Sequence, residues 1–254
     1  MAIKRDIRRL IKSQHIHLGF IIVIALSVFL SLVIGKGTKF GISVFGDLTI
    51  FKNAEAIFIN GLNYTKGIGL ISAVLICLYI GKEYQNKTWQ HLVSCNVNRL
   101  KIYTGKLISS IAISVGLFLS YEIISYTILK LSNANPMPTS DFITLILNGV
   151  IVYSLLASIV CLISMIIKNP VSALIVGMFF VLFEKTIVNL IGKILLLLKL
   201  ENVFYFFSKH TLHGINEFIL SGNAIFSPKL LLISGLMIFA TWIIGNTLFK
   251  RYEL

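Results

Sequence analysis

The sequence predicts an all-α membrane protein with six transmembrane helices. Of its 254 residues, 56% are hydrophobic and only 13% are charged, whereas an ordinary soluble domain has roughly 25% charged residues. The mean hydropathy is +0.88. Six stretches are long and apolar enough to cross a bilayer as helices, which takes roughly 17–25 residues. This composition excludes a secreted disulfide scaffold, a disordered tail and an ordinary cytosolic enzyme.

The six predicted spans follow one another along a single transmembrane domain, 1–254. The first lies in an uncharged run between Lys12 and Lys36. The second is built on the short uncharged run 67–81 and extended toward 62, because a lysine at a helix end can reach the interface. The predicted spans are 18–34, 62–81, 107–129, 142–167, 171–190 and 230–249.

The N-terminal segment 1–17 is predicted to form an interfacial helix. Ile3, Ile7 and Leu10 fall on one helical face, and basic residues cover the rest. Such a helix can lie in the headgroup plane. The alternatives are a basic orientation tag without ordered structure and a cleaved signal peptide, although the apolar run is long for a signal and no small-residue cleavage site follows it.

The charge distribution predicts that both termini are cytoplasmic. With six spans, 13 Lys and Arg residues fall in the 50 residues assigned to the cytoplasm, and 10 fall in the 90 residues assigned outside. The net charge of +13 is therefore interpreted as a topology signal and a match to anionic membrane lipid, not as a nucleic-acid footprint. The predicted location is the cell membrane, as a multi-pass protein. The outer segment 35–66 is interpreted as a small extracellular cap.

The longest internal segment, 82–106, is the main candidate for function. It contains no proline, and Thr88, Trp89, Leu92 and Val93 give a short amphipathic patch. A short rigid helix joined directly to two spans suits docking to a cytosolic partner.

This segment resembles the ABC-2 type permeases, the membrane subunits of ATP-binding-cassette exporters. That family carries a Glu, a Gly-Thr-Trp or similar triplet, paired apolar residues, a basic residue and a closing Lys between its second and third spans. The residues at those positions here are Glu83, Thr88, Trp89, Leu92, Val93, Arg99 and Lys106. The six-span layout, the basic N-terminal helix and the long segment before the last span are also similar. Lys87 replaces a usual Gly, and Asn96, Val97 and Asn98 replace a turn with proline.

The resemblance implies a fold and partners. The segment 82–106 would form a coupling helix seated in a groove of an ATPase subunit, in a type V exporter-like architecture. Two ATPase copies would serve a permease that is a homodimer or a heterodimer with a related chain. The residues implied in ATPase coupling are Glu83, Thr88, Trp89, Leu92, Arg99 and Lys106. The alternative is an ordinary interfacial loop in which Trp89 anchors at the headgroups.

The chain is not predicted to be an enzyme. It has no phosphate-binding loop of the GxxxxGK[ST] type, so no cofactor is expected on it, and ATP with Mg²⁺ would be bound by the partner ATPase. The resemblance implies export of amphipathic antimicrobial or toxin peptides, such as phenol-soluble modulins. The excess of Lys over Arg and the many Ile and Asn residues are common in AT-rich Gram-positive bacteria.

Two carboxylates are candidates for the substrate pathway. Glu122 lies inside the third span, where an ionisable residue is by default a functional hypothesis, and Glu184 is interpreted as the outer end of the fifth span. The alternative for Glu122 is a buried structural carboxylate. A rival function is an ion-coupled secondary transporter or channel that uses Glu122, and a third is a membrane adaptor that only anchors an ATPase.

The segment 191–229 is predicted to form re-entrant or surface-lying helices before the last span, in the place of the family's outer gate. A lid with only a packing role is the alternative. His210 and His213 have helical spacing but no third ligand nearby, so no metal site is predicted. The three cysteines show no pairing pattern.

Overall fold

The computed structural model describes residues 2–36, 38–44, 47–86, 88–94, 97–134, 137–223 and 228–251, and most of them are helical. A short π-helical turn, Ile219–Asn223, precedes the last helix. The eleven α-helices among the described residues are α1 (Ala2–Ile11), α2 (Gln14–Gly35), α3 (Ala54–Leu62), α4 (Ile68–Gln85), α5 (Thr88–Ser94), α6 (Arg99–Leu131), α7 (Thr139–Ile166), α8 (Pro170–Leu197), α9 (Glu201–His210), α10 (Leu212–Phe218) and α11 (Pro228–Arg251).

Six of these helices are long and apolar enough to cross a membrane, which confirms the prediction of a multi-pass α-helical membrane protein. They are α2, α4, α6, α7, α8 and α11. In the most apolar part of α4 and of α7, 67% of the residues are buried, against 28% in α8 and 22% in α11. The helices α4 and α7 are therefore central, and α8 and α11 are peripheral, with large apolar side chains facing outward as expected toward lipid.

Helix α1 and the last turns of α11 lie at the same end of the helix bundle, here called the terminal end. The Tyr84 hydroxyl near the end of α4 donates to the Met165 carbonyl at the end of α7, at 2.6 Å. Arg99 at the start of α6 donates to the Lys250 carbonyl near the end of α11, at 2.8 Å. Helix α1 also packs against α6. The terminal end therefore contains α1, α5 and the adjoining ends of the long helices.

The second span differs from the prediction 62–81. Residue Leu62 is the last residue of the separate helix α3, and Asn63 is its C-cap. Gly67 then takes a left-handed backbone conformation with φ of 51°, which glycine adopts without a steric penalty. The spanning helix begins at Ile68 and continues through Lys82 and Glu83 to Gln85. The extension of the second span toward residue 62 was wrong, because the helix cannot continue through Gly67. The helix is longer at its C-terminal end instead, where it reaches Gln85.

Two other boundaries also differ. The interfacial segment predicted over 1–17 ends as helix α1 at Ile11, and residues from Gln14 onward belong to the first long helix. Helix α8, predicted over 171–190, continues to Leu197. Glu184 is therefore inside the helix and does not mark its end.

The end of the bundle opposite the terminal end carries a small mixed layer. An antiparallel hairpin of β1 (Phe40–Val44) and β2 (Asp47–Phe51) pairs Phe40 with Phe51, and α3 follows it. This two-stranded hairpin and α3 form most of the segment 35–66 that was interpreted as a small cap. Helices α9 and α10 lie within the segment 191–229 predicted as re-entrant, whose first residues belong to the end of α8, and α9 packs along α8.

Candidate functional site

A buried ion network at the terminal end joins three helices. The Lys106 ammonium lies 2.5 Å from Oε1 of Glu83 and 3.1 Å from Oδ1 of Asp6. It also donates to the hydroxyl of Tyr79 at 3.3 Å. Lys106 has 0% exposure, and Asp6 has 2%. We call Asp6, Tyr79, Glu83 and Lys106 the Lys106 cluster. It connects α1, the last turns of α4 and the second turn of α6.

The charges of the Lys106 cluster keep one another in place. A charge removed from water is costly unless it is paired and hydrogen-bonded, and here one ammonium serves two carboxylates. The half-exposed Arg9 guanidinium lies 3.6 Å from the Glu83 carboxylate and adds a second positive charge. Removal of one partner from such a buried group costs roughly 3–5 kcal/mol. The position of α1 is therefore tied to the positions of α4 and α6.

Helix α5 is fixed by an aromatic contact. The indole of Trp89, 1% exposed, stacks on the ring of Tyr84 with centroids 4.5 Å apart. Its other side meets Phe249 of α11 edge-on, with centroids 5.0 Å apart. Leu92 is buried on the same short helix. Trp89 is thus enclosed by protein. The interfacial-loop alternative required an indole exposed at the headgroups.

Arg99 makes the second link between this segment and α11. Its guanidinium donates to the carbonyls of Phe249 at 3.5 Å and of Lys250 at 2.8 Å. The last carbonyls of a helix have no partner within the helix, so a cationic side chain suits this position. Further along α6, the Trp242 indole of α11 donates to Thr104 at 3.0 Å. Helices α6 and α11 are therefore bound side by side.

The structure brings most of the predicted coupling residues into one connected region. Glu83 and Lys106 are in direct contact, while Trp89 and Arg99 both reach Phe249. The remaining two lie on α5 beside them: Thr88 starts the helix and is half-buried, and Leu92 is buried.

Sequence reasoning missed several members of this region, among them Asp6, Tyr79 and Phe249. Asp6 is the one acidic residue in the basic first segment, and it falls three residues after Ile3 and four before Leu10. It therefore shares their helical face. An acid on the apolar face of a basic helix is the signal that could have identified it. Tyr79 and Phe249 are single aromatic residues in apolar helices, and nothing in the sequence distinguishes them.

Glu122 lies deep between α3, α6 and α7. It has 0% exposure, and neither of its carboxylate oxygens has a hydrogen-bond partner among the described residues. The neighbouring tyrosines donate to the backbone of α3 instead. Tyr153 donates to the Gly61 carbonyl at 2.7 Å, and Tyr121 donates to the Ile57 carbonyl at 3.4 Å.

Glu184 holds the outer helices together. Its carboxylate accepts hydrogen bonds from the Tyr64 hydroxyl and, at 3.1 Å, from the backbone N–H of His213. It thereby joins α8 to the turn before α4 and to the start of α10. Burial, reinforced by the Glu184 carboxylate, raises the pKa of Tyr64, which keeps this hydroxyl a donor. Burial lowers the pKa of the His213 ring.

In the described part of the chain, no group of three or more His, Cys, Asp or Glu side chains is placed to hold a metal ion. No protein-family model matches the sequence, and no curated protein matches it.

Proposed function

We propose that the chain is the transmembrane permease subunit of an ATP-binding-cassette exporter, driven by a separate ATPase that docks at the terminal end. The observation that carries this proposal is the connection of the short helix α5 and its flanks to four long or interfacial helices. Glu83 and Lys106 reach α1, and Trp89 and Arg99 reach α11. The resemblance of 82–106 to the coupling segment of ABC-2 type permeases agrees with this arrangement.

The contacts suit transmission of a displacement. A force applied to α5 acts on α4 through Tyr84 and on α11 through Phe249, because both rings touch Trp89. The start of α6 moves with α11 through Arg99. The Lys106 cluster then carries the displacement to α1. Packed interiors resist gradual deformation, so such linked helices would shift together between two arrangements.

The buried residues would transmit the motion, and exposed residues would contact the ATPase. Trp89 and Lys106 are 1% and 0% exposed, so neither is available to a docking subunit. Exposed polar or basic side chains around α5 include Gln85, Asn86, Ser94, Asn98 and Lys101. This surface suits a polar groove with acidic residues on the partner.

We propose that the protein lies in the cell membrane and that its terminal end faces the cytoplasm. The support is the higher density of Lys and Arg in the segments that meet there. Two copies of this chain, or this chain with a related permease, would form the pathway, and two ATPase subunits would bind ATP with Mg²⁺. The proposed substrates are amphipathic antimicrobial or toxin peptides of a Gram-positive bacterium, such as phenol-soluble modulins, for which a largely apolar set of helices is suitable.

Copurification and ATPase assays test this function. The chain is coexpressed with a cytosolic ABC ATPase from the same genome, and ATP hydrolysis is measured in lipid with and without amphipathic peptides. We expect a stable complex in which Trp89→Phe and Arg99→Gln lower peptide-stimulated hydrolysis while the complex still forms. Lys168→Gln, an exposed change at the same end of the bundle but outside the segment 82–106, is the matched control. Absence of a complex, or unchanged hydrolysis in the two variants, would overturn the proposal.

A second candidate function is an ion-coupled secondary transporter or channel, and the burial of Glu122 favours it. A fully buried carboxylate without a partner among the described residues is typical of ion or proton sites in membranes. Transport measured for Glu122→Gln at acidic and neutral pH distinguishes the two candidates. Transport that requires ATP and is unaffected by this change excludes the second.

A further inference from the structure

A small cavity at the terminal end lies beside the junction of α1 and α2. Its volume is about 120 Å³. It opens between the end of α1, the first turn of α2 and the last turns of α4. Its lining residues are Arg9, Ser13, His15, Ile16, Leu75, Leu78, Tyr79, Lys82 and Glu83.

Basic groups converge on this cavity. The ammonium of Lys82 is in hydrogen-bond contact with Nε2 of His15, so two nitrogen groups face each other there. The guanidinium of Arg9, 42% exposed, lies on the other side near Glu83. Groups of this kind arranged around a cavity are suited to bind an anion with several oxygens, such as a phosphate.

The carboxylate in the cavity wall does not balance these charges. Glu83 and Asp6 both bind the ammonium of Lys106, so this ammonium offsets one of their two negative charges. Arg9 and Lys82 carry two further positive charges, which leaves a net positive charge of one even before His15 is considered. An anion in the cavity would remove this surplus.

An apolar surface continues from the cavity along α2. Leu18 and Ile22 follow His15 at helical spacing on one side of the helix, and they are 55% and 53% exposed. Ile11, at the end of α1, is 59% exposed. A ligand that fills the cavity with its anionic group would therefore meet an apolar wall in the direction of the bilayer interior.

We propose that this cavity binds the phosphate group of an anionic phospholipid, whose acyl chains lie along Leu18 and Ile22 of α2. The basic groups provide the charge recognition, and the exposed apolar stripe distinguishes a lipid from a soluble phosphate. Since Arg9 also contacts Glu83, the bound lipid would touch the Lys106 cluster and stabilise the position of α1. The site does not depend on the identity of the transported molecule.

Native mass spectrometry of the purified full chain tests the site with defined lipids. Phosphatidylglycerol and phosphatidylcholine with identical acyl chains are titrated into the wild type and into His15→Gln/Lys82→Gln. We expect phosphatidylglycerol to bind about tenfold more tightly than phosphatidylcholine, which corresponds to ~1.4 kcal/mol, and the double variant to lose this preference. Lys101→Gln, an exposed change at the same end of the bundle, should keep it.

A second measurement needs no variant. A photoactivatable phosphatidylglycerol is crosslinked to the wild type, and the labelled peptides are expected to come from 9–22 or 75–83, the two segments that line the cavity. Equal affinity for the two lipids, an unchanged preference in the double variant, or labelling confined to other segments would overturn the proposal. Displacement of the lipid by an equal concentration of glycerol 3-phosphate would also overturn it, because the site would then be one for a soluble phosphate.

Discussion

The ammonium of Lys106 binds the carboxylate of Glu83 at 2.5 Å across 23 residues of sequence, and this contact fixes the two flanks of α5 relative to each other. Both residues are buried. The segment between them therefore cannot move away from the bundle as a free loop while this pair is intact. Any motion of α5 must either break the pair or carry α4 and α6 with it.

We predict that Lys106→Met destabilises the protein more than any exposed lysine change. The variant leaves the buried Asp6 carboxylate without its cation and leaves Glu83 with only the half-exposed Arg9 guanidinium at 3.6 Å, and the expected loss is roughly 3–5 kcal/mol. Thermal unfolding in detergent measures it. Lys101→Met, exposed on the same helix, is the control and should unfold close to the wild type. Equal melting of both variants would mean that the Lys106 cluster contributes nothing to stability.

Replacement of Asp6 should release α1 while the rest of the bundle stays folded. Asp6→Asn weakens the bond to Lys106, but Lys106 keeps Glu83 as its counterion. We therefore expect faster hydrogen exchange in the backbone of α1 and unchanged exchange in α7. Arg8→Gln alters an exposed residue of the same helix and should have little effect. Protection of α1 that is equal in all three proteins would contradict the prediction.

The periodicity and hydropathy of the sequence predict the six long helices, but they do not predict which charges meet. Asp6 and Lys106 are 100 residues apart, and nothing local in either segment indicates the pair. The same limit explains α8. Glu184 and Lys185 interrupt the apolar run, yet the helix continues because Tyr64 and the backbone of His213 satisfy the carboxylate. The start of the second span was misplaced because hydropathy does not detect the turn at Gly67 that separates two helices inside an apolar region.

The residues predicted to couple to an ATPase are a case in which the pattern predicts a short helix but not what that helix packs against. The sequence places Trp89 on a short amphipathic helix, which is equally compatible with a surface that meets a partner and with a surface that meets the bundle. The indole is enclosed because it contacts Phe249, which lies 160 residues later in the sequence. The side chains that a partner could touch are consequently the polar neighbours of Trp89.

Two substitutions of Trp89 should show how much its aromatic contacts contribute to stability. Trp89→Ala removes the stacking on Tyr84 and the contact with Phe249, and a loss of roughly 3–5 kcal/mol is expected for a buried aromatic residue. Trp89→Phe keeps a ring in the same space and should lose clearly less. Thermal unfolding of both variants gives the comparison. An Ala variant as stable as the Phe variant would mean that the aromatic contacts do not hold α5.

Close packing around Glu122 predicts a specific sensitivity at Gly61. A Cβ atom at this position would lie 2.0 Å from Oε1 of Glu122 and 2.7 Å from the ring of Tyr121. We expect Gly61→Ala to cost about 1–3 kcal/mol through overpacking. Gly235→Ala is the matched control, because its Cβ would meet no atom within 4 Å.

The same site allows a double-variant test. In the background of Glu122→Ala, the nearest obstacle to the added methyl group is gone, so Gly61→Ala should cost less than it does in the wild type. Additive effects of the two changes in thermal unfolding would contradict the direct contact between Gly61 and Glu122. Non-additive effects would show that α3 packs directly against this carboxylate.

Glu184 offers a test of how the outer helices are held. Glu184→Ala removes the acceptor for the buried Tyr64 hydroxyl and for the partly buried N–H of His213. The loss of the acceptor for the buried hydroxyl costs roughly 1–3 kcal/mol. Glu184→Gln retains one acceptor oxygen and should lose less. Hydrogen exchange of α10 reports the release of this helix, which we expect to be fastest in the Ala variant. Lys185→Gln, whose 3.9 Å contact with Glu217 is solvent-exposed, should leave exchange in α10 unchanged because such pairs contribute little. If α10 exchanges equally in all of these proteins, Glu184 does not hold this helix in place.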